Sequence, residues 1–281
     1  MIPNQILDGI QHLDPLPVTA RKLSAMLQSD DASVQEIAKA VEYDAAIAAN
    51  ILKVANSAAY AGRYPTERVR DAIVRLGTAN LLTIVLGQYL RMFKTAAPLY
   101  DLTEDDFYLH SAAASLMIRA MIPEIHCVLP PSTSIAALLH DIGKLIMVRY
   151  MKIDVSSMQS LCRERGIEFF QAEQELLGCN HAEVGAAIAR NWGFPEEIIM
   201  AIEFHHQVNP GGKGILLDAV MLANYAAKSI GVGLGAEGLN MSLDFAGSRE
   251  RLGMSIEGFE RACAQAALWV AEQKKEVESA A

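Results

Sequence analysis

The chain has 281 residues, of which 52% are hydrophobic and 20% are charged, as expected for a globular protein with a sizeable core. Its net charge of −9 argues against nonspecific nucleic-acid binding, which needs a basic surface. No stretch of about 18 residues is free of charge, and the first residues lack a basic segment and an apolar run. We therefore expect neither a membrane span nor a signal peptide. Four cysteines without CxxC spacing indicate buried thiols in a reducing cytoplasm.

Apolar residues recur at three- and four-residue intervals along almost the whole chain, and no β-alternation persists long enough to predict a sheet. We therefore predict an all-α fold. Ser33 and Glu36 form a capping box at an early helix, and Gly77 separates two later helices. The helices are expected at residues 31–42, 45–57, 68–76, 79–93, 105–122, 169–176, 181–192, 196–206, 216–230 and 256–275.

Two breaks divide this helical pattern. The segment 98–103 is typical of a connection, so we predict an N-terminal helical part at residues 1–100 and a second part at 101–281. Within the second part, Pro130 and Pro131 end the pattern again. Ser134 is then the expected cap of the helix that leads into His140.

Six of the seven histidines fall in the second part, and five of them form an ordered series with one aspartate. The series is His110, His140, Asp141, His181, His205 and His206. Imidazole and carboxylate groups together are ligands for zinc, iron or manganese. Each of these histidines taken alone is more often a structural residue, but the ordered set is poorly explained that way. The series therefore predicts a metal site.

His140 and Asp141 interrupt an apolar run, where an unsatisfied polar group costs on the order of 2–7 kcal/mol. A helix C-terminus favours a histidine but disfavours a carboxylate, and a bound cation would satisfy both. Gly143 is expected to turn the chain. Lys144 then either contacts a phosphate or is a solvent-exposed lysine, and the sequence leaves both readings open.

Three of the other histidines in the series, His181, His205 and His206, lie at predicted helix ends. His181 begins a helix, where a protonated ring is disfavoured, so we expect a neutral His181, as metal binding requires. His205 and His206 are neighbours, and neighbours point about 100° apart on a helix. We expect that they do not serve one ion equally: one binds metal and the other substrate, or they serve adjacent metals.

Three short stretches resemble the HDOD family over roughly residues 8–210. They are Leu-Lys-Val-Ala-Asn-Ser-Ala-Ala-Tyr at 52–60, Ala-Ile-Val-Arg-Leu-Gly at 72–77, and Asn-Trp-Gly-Phe-Pro at 191–195. The histidine series resembles the HD superfamily of metal-dependent phosphohydrolases, and in particular its HD-GYP branch of cyclic-di-GMP phosphodiesterases. The HDOD family is a regulatory relative of those enzymes. The resemblance implies a multi-helix HDOD or HD-like architecture.

The resemblance also implies roles for individual residues. His110, His140 and Asp141 would hold a first metal, and His181 with His205 or His206 would hold a second. Asp141 and Lys144 would be catalytic, with Lys144 steadying a phosphate. The metal would be iron, manganese, zinc or magnesium.

Two departures from the family pattern argue against cyclic-di-GMP hydrolysis. Asn224 stands where the HD superfamily has an aspartate, and an amide binds a hard cation more weakly than a carboxylate does. The GYP signature is also missing from the segment that follows His206.

We therefore expect a cytoplasmic signal-transduction or regulatory protein that works through a protein partner and retains an HD-type site. The alternative is a metal-dependent phosphohydrolase or phosphodiesterase that acts on a nucleotide or another phosphorylated small molecule. Nucleotide binding without hydrolysis is a third, weaker reading. Apolar helix faces would also fit a homodimer.

Overall fold

The computed structural model describes residues 2–13, 15–27, 33–42, 44–92, 100–207, 214–238 and 245–279. These residues form α-helices and one 3-10 helix, Ile122–Glu124, and no strand occurs among them, so the predicted all-α fold is confirmed. The α-helices are α1 (Asn4–Gln11), α2 (Val18–Leu27), α3 (Val34–Glu42), α4 (Ala45–Ala55), α5 (Val69–Met92), α6 (Glu104–Met121), α7 (Thr133–Leu139), α8 (Gly143–Tyr150), α9 (Val155–Arg165), α10 (Phe169–Leu177), α11 (His181–Asn191), α12 (Glu196–Phe204), α13 (Ile215–Ser229), α14 (Phe245–Leu252) and α15 (Ile256–Ser279).

Contacts group the chain into two compact units. The N-terminal unit is Pro15–Met92, and the histidine unit comprises Met1–Asp14 together with Phe93–Ala281. Helix α1 belongs to the histidine unit because it packs on α8 and α11. The division predicted between residues 100 and 101 stays a prediction.

In the N-terminal unit, α5 packs against α2, α3 and α4. Gly77 has a φ of 73°, which kinks α5 where the sequence predicts a break between two helices. The predicted capping box is present, because Ser33 Oγ accepts from the Glu36 N–H and Ser33 N–H donates to the Glu36 carboxylate. The predicted helix boundaries at residues 31 and 93 lie outside the described residues.

Helix α5 is long and apolar enough to cross a membrane by length and composition alone. However, 61% of its most apolar stretch is buried. Burial of this kind is typical of a core helix.

In the histidine unit, α6 packs on α7, α13 and α15. It begins with a capping box between Thr103 and Asp106. Ala112, Ala113 and Ala114 are buried along it, and their small side chains allow the neighbouring helices to approach closely. Elsewhere in the histidine unit, α11 packs on α8 and α12.

Two local predictions near the His-Asp pair are wrong. Helix α7 begins at Thr133, so Ser134 lies inside it, and the Thr133 hydroxyl donates to Pro130 O at 2.6 Å instead. Gly143 does not turn the chain but begins α8, because residues 140–142 already form the turn. A Cβ at position 143 would lie 2.0 Å from His181 O, so glycine is required where α8 crosses α11.

All four cysteines are free, but the expectation of buried thiols holds only for Cys179. Cys127, Cys162 and Cys263 are partly exposed.

Candidate metal centre

The six residues of the predicted series come together in the histidine unit. His110 lies on α6, His140 and Asp141 in the turn after α7, His181 at the start of α11, and His205 and His206 directly after α12. All six are buried, and the most accessible of them, His206, is 7% exposed. Asn180 caps α11 by accepting from the Glu183 N–H at 2.9 Å, which fixes where His181 begins the helix.

Asp141 lies at the centre, with one pair of imidazoles facing each carboxylate oxygen. Its Oδ2 is 3.6 Å from His110 Nε2 and 3.5 Å from His140 Nε2. Its Oδ1 is 3.3 Å from His181 Nε2 and 3.6 Å from His205 Nε2. The ligand atoms form two groups that share Asp141, each compact enough to hold a metal ion.

Hydrogen bonds on the far side of the rings fix which nitrogen is free to bind a metal. The Nδ1 atoms of His110, His140 and His205 donate to the backbone oxygens of Val232 (3.1 Å), Ala137 (2.7 Å) and Ile202 (2.7 Å). A carbonyl oxygen can only accept, so each Nδ1 carries the proton and each Nε2 keeps its lone pair. This is the arrangement by which proteins orient histidine ligands.

The contact between His110 and His140 bears on whether these residues could bind a cation. Their Nε2 atoms are 3.3 Å apart, and both lone pairs point into the same space. Burial lowers the pKa of His110 to about 4 and that of His140 well below its usual value, so neither ring supplies a proton for a hydrogen bond. A bound cation would satisfy both nitrogens. The residues therefore fit a metal.

His181 differs, and the expectation that it is neutral is wrong for the metal-free site. Burial disfavours its protonated form, but the Glu173 carboxylate, 2.7 Å from His181 Nδ1, outweighs that effect and raises the pKa of His181 to about 9. The second proton of the ring then lies on Nε2, which faces Asp141 and His206 Nε2 at 2.8 Å. That proton occupies the position of a cation, so metal binding there would release it.

His205 and His206 are not held apart by helix geometry, which the sequence-based expectation of separate roles assumed. The helix ends at Phe204, so the 100° separation between neighbours no longer applies, and the two ring centroids are 4.1 Å apart. Both residues offer a ligand atom to the group that contains Asp141 and His181. Phe170 stacks on the outer face of His206 at 5.0 Å and covers the site on that side.

Lys144 is buried, so the reading that makes it a solvent-exposed lysine is wrong. Its Nζ donates to Asp141 Oδ2 at 2.7 Å and also pairs with Glu237. Burial opposes the charge, but the two carboxylates raise the pKa of Lys144 well above its usual range. The pKa of Asp141 is held well below its usual range, against the effect of its burial, by Lys144 and the histidines.

Asn224, the residue that departs from the family pattern, is 1% exposed on α13. Neither atom of its amide has a hydrogen-bond partner among the described residues. A buried amide without partners is costly, which fits a ligand or a water at this position. Asp218, earlier on α13, does not take the place of the missing aspartate, because its carboxylate pairs with Arg251 at 2.7 Å.

Sequence reasoning missed three buried charged residues around the site: Glu173, Lys228 and Glu237. Lys228 Nζ pairs with Glu237 Oε2 at 2.6 Å. Glu173 and Lys228 each interrupt an apolar helix face, and this signal could have found them. Glu237 lies in a glycine-rich loop, and only the folded chain brings it to Lys144.

The histidine unit is helical and encloses a buried cluster of His and Asp residues that could hold a metal, and comparison with known proteins gives the family. The model of the HDOD domain matches residues 13–208, so the chain belongs to the HDOD family. An uncharacterized protein of Treponema pallidum is 23% identical over 72% of this chain and 39% of its own length. The chain thus spans less than half the length of this curated relative.

Solved structures share the fold. An HDOD domain protein of unknown function from Geobacter sulfurreducens has a TM-score of 0.69 and 23% identity, covering 98% of this chain and 94% of that one. A candidate signal transduction protein from Marinobacter aquaeolei VT8 has a TM-score of 0.68 at 22% identity, covering 96% and 64%. A candidate metal-dependent phosphohydrolase from Shewanella amazonensis SB2B has a TM-score of 0.61 at 19% identity, covering 94% and 96%. At these identities the likeness establishes the fold alone.

Proposed function

We propose that the chain is a regulatory HDOD protein whose histidine unit binds divalent metal without turning over a substrate. One observation supports this above the others: Asp141, the residue shared by both ligand groups, is buried and ion-paired to Lys144, which is itself held by Glu237. All five histidines of the series are present at the site, but the site is buried. A metal held there would stabilise the fold through which the protein contacts a partner.

The donor set indicates the kind of metal. His110, His140 and Asp141 would hold one ion, and Asp141, His181, His205 and His206 a second. Five imidazoles and one carboxylate suit iron, manganese or zinc better than magnesium, which prefers oxygen ligands. The neutral amide of Asn224 would add little to the binding of a hard cation.

A metal-dependent phosphohydrolase is the second candidate function, favoured by the pair of imidazoles on each oxygen of Asp141. A bound metal would lower the pKa of a water molecule and polarise a phosphoryl oxygen. Lys144, already charged and next to Asp141, would orient a phosphate group. Burial of the ligands and the neutral Asn224 count against this alternative.

The deciding experiment measures metal content and turnover on the same full-length protein. Metal is quantified by mass spectrometry after purification and after loading with Mn²⁺, Fe²⁺ or Zn²⁺. Hydrolysis of bis(p-nitrophenyl) phosphate and of cyclic di-GMP is then assayed. Bound metal without turnover supports the regulatory proposal. Turnover that Asp141→Asn abolishes and the exposed control Asp105→Asn retains supports the hydrolase, and a protein that takes up no metal contradicts both.

A regulatory role also needs a macromolecule to act on, and we propose either a protein partner or a second copy of the chain, in the cytoplasm. Light scattering on the purified protein measures its mass directly. A monomer at all concentrations would exclude the homodimer and leave the separate protein partner.

A further inference from the structure

Helix α15 has one buried face and one exposed face. Its buried side chains, which recur every three or four residues while the helix packs on α6, include Phe259, Ala262, Ala266 and Val270. The exposed face carries residues at alternating intervals of four and three, and this set, named the seam below, is Glu257, Arg261, Ala264, Leu268, Ala271 and Lys275. The same alternation is the spacing by which one helix contacts another in a coiled coil. The seam therefore has the pattern of a helix-packing surface, although it faces solvent.

The middle of the seam is apolar. Leu268 is 68% exposed, and exposed alanines lie four residues before it, at Ala264, and three residues after it, at Ala271. Small side chains allow a second helix to approach, and a leucine can fill the space beside them. Ile122 of the 3-10 helix, which contacts α15, is also 56% exposed. The apolar surface is therefore wider than Leu268 alone.

The two ends of the seam carry opposite charges. Glu257 lies in the first turn of α15 and Lys275 near the other end, and both side chains are exposed. Arg261 adds little free positive charge at the acidic end, because its Nη2 already donates to Glu124 Oε2 at 2.6 Å. The seam therefore runs from a carboxylate through an apolar middle to an ammonium group.

This order of groups is complementary to itself when two copies of α15 lie antiparallel. A two-fold axis level with Ala266 places Glu257 opposite the partner's Lys275 and Leu268 opposite the partner's Ala264. A symmetric dimer needs such a surface, in which each residue of a pair faces the other across the axis. A parallel pair would instead place carboxylate against carboxylate and ammonium against ammonium, which repel each other.

We propose that the seam is a dimer interface and that it binds the seam of a second copy of the chain, packed antiparallel. The contact is a single pair of helices, so the dimer is reversible and forms with rising concentration. Because α15 packs on α6, which carries His110, the contact lies one helix away from the candidate metal centre. The inference deepens the proposed function by naming the partner of the regulatory protein. Its tests need no metal, so its failure is distinguishable from failure of the metal proposal.

The first test measures the mass of the full-length protein by sedimentation velocity from low to high micromolar concentration. We expect a monomer that converts to a dimer, and we expect Leu268→Asp to remain monomeric, because a carboxylate would be buried at the centre of the contact. Leu176→Asp is the matched control on an exposed leucine of α10, and it should dimerise normally. A chain that stays monomeric, or a dimer that Leu268→Asp leaves intact, would overturn the proposal. A mass that keeps rising beyond the dimer would also contradict it, since a symmetric contact closes.

The second test uses charge reversal, and it stands even if Leu268→Asp does not fold. Glu257→Lys and Lys275→Glu should each weaken dimerisation about tenfold, because each substitution occurs twice in a symmetric dimer. An equimolar mixture of the two variants should dimerise as tightly as the unchanged protein, since the introduced lysine then faces the introduced glutamate. A mixture that associates no more tightly than either variant alone would exclude the antiparallel contact.

Discussion

At the scale of single residues, the site depends on a carboxylate that touches no proposed metal position. Glu173 accepts from both the His181 backbone N–H, at 2.9 Å, and His181 Nδ1, at 2.7 Å. It is fully buried and so fixes the ring while raising its basicity. His110, His140 and His205 have neutral carbonyl partners in the same role. His181 is therefore the ligand whose chemistry depends most on a single neighbouring charge.

Glu173→Gln should weaken metal binding roughly 10- to 100-fold, because the amide oxygen still orients His181 but no longer supports it with a charge. Metal affinity measured by competition with a chelating dye tests this prediction. Glu175→Gln is the matched control, since Glu175 lies on the same helix but pairs with exposed Arg165. Equal affinities for the two variants would show that Glu173 does not support the site.

The Glu173–His181 pair makes the stability of the metal-free protein depend on pH. The pKa of His181 is raised from 6.5 to about 9. Its contribution to the free energy of unfolding is therefore fully present below pH 6.5 and is lost as the pH rises through 9. The loss is on the order of 3 kcal/mol for a buried group shifted this far. Urea unfolding between pH 6 and pH 10 should show this decline, and Glu173→Gln should flatten it. A decline of the same size in the variant would assign it to other groups.

At the scale of elements, the site is held together by the crossing of α8 and α11. Gly143 meets His181 O and Gly185 N where the two helices touch, and Gly185 in turn meets Ile202 of α12. Both contacts at Gly143 are to backbone, which cannot move aside as a flexible side chain does. The separation between Asp141 and His181 therefore follows from helix packing rather than from the ligands.

Gly143→Ala should destabilise the histidine unit by about 3 kcal/mol, because the added methyl forces α8 away from α11. Urea unfolding followed by circular dichroism measures the change. Gly258→Ala, in α15, is the control: its nearest neighbour is the flexible Glu124 side chain at 3.1 Å, so it should be neutral or slightly stabilising. A neutral Gly143→Ala would show that the crossing can relax.

The all-α class and the residues of the His/Asp cluster could be predicted from sequence because both leave local patterns, but five helices were not predicted: α1, α2, α8, α9 and α14. The break at Gly77 and the His140-Asp141 pair are recognisable within a few residues. The roles of Glu173, Lys228 and Glu237 could not be predicted, since each acts on a residue that only folding brings near. The predicted directions of His205 and His206 assumed a helix that continues to residue 206, whereas α12 ends two residues earlier, at Phe204.

At the scale of the whole molecule, the chain offers separate probes for its two units. Both tryptophans, Trp192 and Trp269, belong to the histidine unit, whereas helices lie in both units. Tryptophan fluorescence therefore reports on the histidine unit alone, and far-ultraviolet circular dichroism reports on the entire chain. The candidate metal ligands belong to the histidine unit, which fluorescence follows.

Metal at about one hundred times its dissociation constant should stabilise the histidine unit by roughly 2.7 kcal/mol and raise its Tm by roughly 5–10 °C. We expect the fluorescence transition to shift by this amount and the circular dichroism curve to separate into a shifted and an unshifted component. Asp141→Asn should abolish the shift. A single transition that moves equally by both probes would mean that the two units unfold together.

Gly143 has a consequence for how related sequences are interpreted. In the sequence His-Asp-Ile-Gly, the first two residues are candidate metal ligands and the fourth leaves room for the helix crossing, so the two features are independent of each other. A chain that keeps the glycine but loses the His-Asp pair would retain the helix crossing and lose two candidate metal ligands. A chain with the reverse change would keep its ligands without the geometry to use them. The glycine therefore identifies the fold, and the His-Asp pair identifies the site.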